Sequence, residues 1–422
     1  MIRKNNTLLG NYTPAFFHIA LNTQEELTES NLLNNPTYIH EYIHFIQDVT
    51  TIHGLTTIDV FNEDMRVAIH NIYNQEDMSF DVPIIHVIDG EEKNSYAKYI
   101  NLYNGDDVPL SCREIIKIEY LNISMDKYSS VSDLCIKIID NNSTDYDISF
   151  GAFAIKESMA YILEQKLSLN WVKSSDFPYN FAFRLTEQIY PEFAKDILNV
   201  LALCDISLQF LNSGEVFYNF LIQLKNEKIL PQKPEDIYDY FYPLQYNRAN
   251  LTLEESIVEV YSYTKKKLLS YFNDKTFFKN IRNWIEHTLS MALRKRITDR
   301  YFLLKLVRGG VASNNKILKD LHFSLGTPVI SNLLGSSICI INEQEIDLKY
   351  FIAISHIGSL FESGICKSSC ECSLYVICLK QGKLVDENCL KSPWLRCEEK
   401  ERKCYYTNLW RHWKLQGYMP KL

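Results

Sequence analysis

Between Asn35 and Gly54 the chain reads NPTYIHEYIHFIQDVTTIHG, and this stretch constrains the fold more than any other. Asn35 is a good helix N-cap, Pro36 follows where a missing N–H costs nothing, and Gly54 suits a C-terminal stop. Tyr38, Ile39, Tyr42, Ile43, Phe45, Ile46 and Val49 surround most of the predicted helix with apolar side chains, which marks it as buried. His40, Glu41, His44, Gln47 and Asp48 are the exceptions, and they travel inward on the same helix. Buried polar groups must be satisfied, and a metal ion with its supporting hydrogen bonds does so.

Residues four apart on a helix lie one above the other, so His40 and His44 point to the same side and can hold one ion. Glu41 lies about 100° round from His40, within reach of a water in the ion's open position. Zinc in a catalytic site takes three protein ligands and leaves one position open. In the metzincin pattern the third ligand is a histidine six residues after the second, and here that position is Thr50. His53 lies about 220° round the helix from His40, so it joins the same ion only if the helix breaks first. The other option is a glutamate from a later helix. KESMAYILEQK at 156–166 offers Glu157, Tyr161 and Glu164 as one polar stripe beside Met159, Ile162, Leu163 and Leu167, and small Ala160 lets two helices approach closely. The same pattern also describes an amphipathic surface helix with its acidic residues facing water.

Together, H-E-Y-I-H at 40–44 and E-S-M-A at 157–160 resemble the glutamate-ligand zincin metallopeptidases, the gluzincins. The resemblance implies a zincin-like catalytic core in which His40, His44 and Glu157 ligate zinc and Glu41 is the general base. It implies hydrolysis of peptide bonds in a protein or peptide substrate. Tyr161, which shares a face with Glu157, is the candidate oxyanion donor. Glu157 follows His44 by 113 residues (157 − 44), so an insertion separates the two helices. The strand-like AFFHIAL at 15–21 is a candidate edge for an extended peptide.

Elsewhere the texture is mixed. Runs such as VPIIHVI, CIKIID and YDISF suggest strands between about 80 and 150, and from Ala152 to about Ser270 the apolar spacing turns helical, with a further helical block from Lys275 to Leu306. Asp205 and Gln209, four apart in an apolar helix, are candidates for supporting the metal site or, more simply, for satisfying local backbone; His287 and His322 read as structural histidines.

The last part of the chain changes character. Cys366, Cys370, Cys372, Cys378, Cys389, Cys397 and Cys404 supply seven of the eleven cysteines, interleaved with Trp394, Trp410, His412 and Trp413. No CxxC pair is present, so this is not a standard zinc ribbon. Thiolates at this density suggest a structural zinc ion, with an iron–sulfur cluster or unligated thiols as the alternatives. Such a module offers a site for a regulatory partner.

Net charge is −8, from 44 basic and 52 acidic residues, so no broad basic field points to nucleic acid or an anionic membrane. The first residues carry no continuous apolar core, and no apolar run is long enough to span a bilayer, which predicts a cytoplasmic protein with reduced cysteines. The expected fold is α+β and predominantly helical. It comprises a zincin-like core over 1–170 with an insertion at about 80–150, a helical region over 171–325 completing or covering the cleft, and a C-terminal region over 326–422 with its cysteine-rich module at 366–413. The expected function is intracellular zinc-dependent proteolysis; the alternative is an inactive zincin scaffold that binds or senses through its tail.

Overall fold

The structure, a computed structural model, describes residues 9–14, 17–75, 77–84, 95–124, 130–246, 250–341, 344–363, 371–399 and 404–421. It is α+β, with helices forming most of the core and short strands arranged in small sheets.

At its centre lies the motif helix, Pro36–Thr50. The Asn35 side chain accepts a hydrogen bond from the Tyr38 N–H, and Pro36 occupies the first turn, so the helix starts where its sequence says. Every residue from Thr37 to Thr50 is buried. The helix ends earlier than Gly54 suggests: Thr51 is extended, and a second helix, Ile52–Tyr73, begins at once. Gly54 belongs to the first turn of that second helix and permits close approach instead, since a Cβ there would lie 2.3 Å from the Asp48 Cα.

The motif helix packs against Ile52–Tyr73, against the helix Ala152–Leu167 that carries Glu157, and against Lys279–Thr298. Phe45 from the motif helix, Phe17, Trp284 and Phe351 form one aromatic cluster behind it, with Phe17 and Trp284 at a centroid separation of 4.7 Å.

Its last carbonyls are capped from distant parts of the chain. Arg296 donates from Nε to the Thr50 carbonyl at 3.0 Å, and the Tyr261 hydroxyl donates to the Val49 carbonyl. Fully buried Arg296 is held by a two-pronged pair with Asp205, at 2.6 and 2.9 Å, and Tyr238 donates to the same carboxylate at 2.8 Å. Gln209 accepts from the Ile52 N–H at 3.3 Å. Asp205 and Gln209 therefore secure the junction between the two helices.

A four-stranded sheet lies against the motif helix, in the order Gly10–Thr13, His18–Leu21, Val329–Asn332, Ser337–Ile338. His18–Leu21 is antiparallel to the first strand and parallel to Val329–Asn332, so it is an interior strand. The expected free edge at AFFHIAL is thus occupied on both sides, and Gly10–Thr13 is the edge strand beside the motif helix; Ala15 and Phe16 lie outside the described residues. Strands Glu114–Ser124, Ser130–Ile139 and Asp145–Ser149 form an antiparallel sheet between the two motif-bearing helices in sequence, covering CIKIID and YDISF. Most of VPIIHVI lies outside the described residues. Near the end of the chain, Met419–Lys421 pairs in parallel with Ser79–Asp81, so backbone hydrogen bonds join the C-terminal region to the segment after the second helix. No described helix is long and apolar enough to cross a membrane.

Candidate metal centre

His40 and His44 lie one turn apart, with ring centroids 4.8 Å from each other. Each ring is oriented by a different partner. His40 meets Glu164 Oε2 with Nδ1 at 2.8 Å, which places a proton on Nδ1 and directs Nε2 toward Glu157. His44 meets Gln47 Oε1 with Nδ1 at 2.8 Å, and Gln47 in turn donates from Nε2 to the Lys156 carbonyl at 2.9 Å. That second bond fixes which end of the Gln47 amide is oxygen, so His44 also carries its proton on Nδ1 and offers Nε2 as a ligand.

The two Nε2 atoms converge on one carboxylate. His40 Nε2 is 3.1 Å from Glu157 Oε2, and His44 Nε2 is 3.2 Å from Glu157 Oε1. A tetrahedral ion with bonds of about 2.0–2.1 Å has ligand–ligand edges of about 3.3 Å, so the spacing suits one small cation. Among the described residues these three form the one convergent group of His, Cys, Asp or Glu donors. The fit has a second mark: His44 Nε2 is buried and faces the Glu157 carboxylate, as a ligand atom sharing an ion with it would.

The electrostatics agree. Burial opposes a charged imidazole at His40, but hydrogen bonds to Glu157 and Glu164, reinforced by their charges, carry its pKa up to about 10. Burial works against the Glu157 carboxylate too, yet the charge of His44 and hydrogen bonds to both imidazoles hold its pKa well below the usual carboxylate range. Two carboxylates facing one imidazole form a pocket that favours positive charge.

Glu41 stands outside the convergent donor set. Its Oε2 accepts from the Tyr12 N–H of the edge strand at 2.9 Å, whereas Oε1 is buried and unpartnered. The Tyr161 ring packs on Trp171 and Tyr179, and Tyr179 is the tyrosine whose ring meets His40, at 6.2 Å. Behind the centre, Lys156 Nζ binds Asp48 Oδ1 at 2.7 Å and ties the two ligand-bearing helices together.

Helical spacing and the packing of the two helices bring His40, His44 and Glu157 together, with Glu41 on the same turn but outside their convergent set. The surface-helix alternative for Glu157 and Glu164 is overturned, since both are buried, at 5% and 1% exposure. Glu164 stands in the acidic stripe and Gln47 one turn after His44, where i, i+3 spacing brings it beside that ring, but nothing local shows that Glu164 meets the far side of the His40 imidazole. His53 meets the Leu211 carbonyl and Asn104, His287 meets the Ser324 carbonyl, and His322 meets the Tyr38 hydroxyl. None of the three joins the centre. In the tail, Cys366 and Cys370 lie outside the described residues. Cys372, Cys378, Cys389, Cys397 and Cys404 are free thiols, and no three of them converge within a shell the size of a single ion.

No family model matches the chain, and searches of curated proteins and of solved structures likewise give no match.

Proposed function

We propose that this chain is a zinc-dependent metallopeptidase whose centre is His40, His44 and Glu157, with Glu41 as general base. One observation carries the reading. Within one turn of a buried helix, two imidazoles present Nε2 to a shared carboxylate while the intervening Glu41 stays outside that set with one oxygen unpaired. The donors also suit ferrous iron, but a glutamate held beside the ligands without joining them is what metal-assisted hydrolysis requires.

Bound among these donors, zinc would supply Lewis acidity and bring the pKa of a water toward neutrality. The remaining work belongs to the chain. The Tyr12 N–H holds Glu41 through Oε2, leaving Oε1 to take a proton and return it to the leaving amine. Glu164 and Gln47 keep both imidazoles in the ligating tautomer. Tyr161 and Tyr179 form the aromatic wall from which an oxyanion donor would come. A reducing, cytoplasmic compartment suits the nine described cysteines, none of which is in a disulfide.

The near-complete burial of the centre, with His40 at 0% and Glu41 at 2% exposure, favours a second reading: a metal-held scaffold that binds rather than cuts. Glu41→Gln separates the two. Wild type and variant are incubated with a mixture of unfolded cellular proteins, products are counted by mass spectrometry, and zinc is measured on both. A peptidase retains zinc and loses cleavage by a factor on the order of 10² or more. Equal product patterns from two zinc-loaded proteins would leave only the scaffold.

A further inference from the structure

The described residues of the cysteine-rich tail contribute nothing to the centre above, yet their thiols are organised. Cys372, Cys378, Cys389 and Cys404 line one cavity of about 700 Å³. They arrive from separate pieces of chain: the turn before helix Tyr375–Lys380, that helix itself, helix Glu387–Lys391, and the N-cap of helix Tyr405–His412. Backbone hydrogen bonds hold the pieces in place. The Cys372 N–H donates to the Cys389 carbonyl at 2.8 Å, and the Lys383 N–H donates to the Cys378 carbonyl at 3.0 Å. Thr407 N–H already donates to Cys404 Sγ, at 3.3 Å.

A buried cation faces the same space. Arg396 lines the cavity at 2% exposure and contacts Cys389 Sγ through Nη1. Its Nη2 reaches Asp386 at 3.1 Å and the Leu384 carbonyl at 3.3 Å, while its Nε is buried with no partner. Lys383 lines the cavity as well. A guanidinium that touches the Cys389 sulfur and keeps one buried donor unmet, even with Asp386 paired, has room for a further acceptor on the cavity side.

The spacing selects which group. One zinc ion with Zn–S bonds of about 2.3 Å draws its sulfurs to edges of about 3.8 Å. Here no three described cysteines come within 4.8 Å of one another, and the thiols stand around a cavity. A four-iron cluster places iron and sulfide between its thiolates, so it spreads them wider than one ion does, and the assembly is anionic. We propose that Cys372, Cys378, Cys389 and Cys404 ligate a four-iron iron–sulfur cluster, with Arg396 donating to the Cys389 sulfur.

The test uses the full chain, purified without oxygen and also reconstituted from the metal-free form with ferrous iron and sulfide. Iron and acid-labile sulfide should each approach about four per chain, with visible absorption that bleaches on dithionite reduction. Cys372→Ser and Cys389→Ser should each lose most of the iron and sulfide. Cys397→Ser, outside the cavity wall, and Cys204→Ser, in the helical core, should keep both. Arg396→Gln should keep the iron and lower the reduction potential, because a positive charge beside the cluster favours the added electron. The proposal is overturned by zinc in excess of one per chain without sulfide, by no iron uptake in the reconstituted wild type, or by a full cluster in the Cys372→Ser/Cys389→Ser double variant. The wild-type iron and sulfide content decides even where a serine variant loses its structure.

Discussion

His40 Nδ1 and Glu164 Oε2 lie 2.8 Å apart in a place where both side chains are almost fully withdrawn from water. The pair fixes the tautomer of a ligand from behind, and Glu157 meets the same ring from the front at 3.1 Å.

Glu157 and Glu164 should therefore both matter to metal binding, by different amounts. Glu164→Gln keeps an acceptor for the imidazole but removes its charge, and zinc affinity should fall about 10–100-fold. Glu157→Gln removes a ligand and should cost more. Competition against a chromophoric chelator gives both numbers. An unaffected Glu164→Gln would show that the contact only packs the two helices.

Zinc uptake should release protons. His40, with its pKa carried up to about 10 by the two carboxylates, holds a proton on Nε2 at neutral pH that the ion must displace. Apparent affinity should climb about tenfold per pH unit near neutrality, with about one proton released per zinc. Calorimetry in buffers of different ionisation enthalpy measures the release directly. A proton count near zero would contradict this account of the pocket.

Arg296 and Asp205 should behave as one unit. Arg296→Met strands a buried carboxylate and uncaps Thr50, and the expected loss in denaturant unfolding is about 3–5 kcal/mol. Arg296→Met combined with Asp205→Leu removes both charges and should recover part of that loss. A double variant less stable than Arg296→Met alone would show that the network's other bonds outweigh its buried charge.

Stability of the metal-free chain should peak near pH 6.5. Burial lowers the pKa of His18 and His53 to about 4 and of His322 to about 3, so below about pH 6.5 the unfolded chain takes up protons that the folded chain refuses. Stability then falls with pH until those folded-state values are reached, by up to about 1.4 kcal/mol per unit for each group. His40 acts in the other direction. Its raised value gives stability that is complete below about pH 6.5 and lost as pH rises toward 10. Thermal unfolding of the metal-free chain from acid to alkaline pH should trace both limbs, and zinc should remove the alkaline one. A monotonic curve without zinc would contradict the assignment.

What the sequence by itself determined is local. The start of the motif helix at Asn35 and Pro36, its burial, and the shared face of His40 and His44 all follow from backbone geometry over a few residues. The register of Glu157 was legible for the same reason, on a second helix with its own periodicity. Tertiary structure decided what those residues meet. Gly54 looks like a helix stop in sequence, but its missing Cβ serves the contact with Asp48. AFFHIAL looks like an edge until Val329–Asn332, some three hundred residues later, pairs with His18–Leu21. Glu164, Gln47, Arg296 and the Tyr12 N–H act through partners on other elements, and residue spacing carries no record of them. Periodicity reports which face of an element is buried, because that depends on neighbours along the chain. The hydrogen bonds that satisfy a buried polar atom come from wherever folding brings a donor or acceptor, and only the packed chain contains that information.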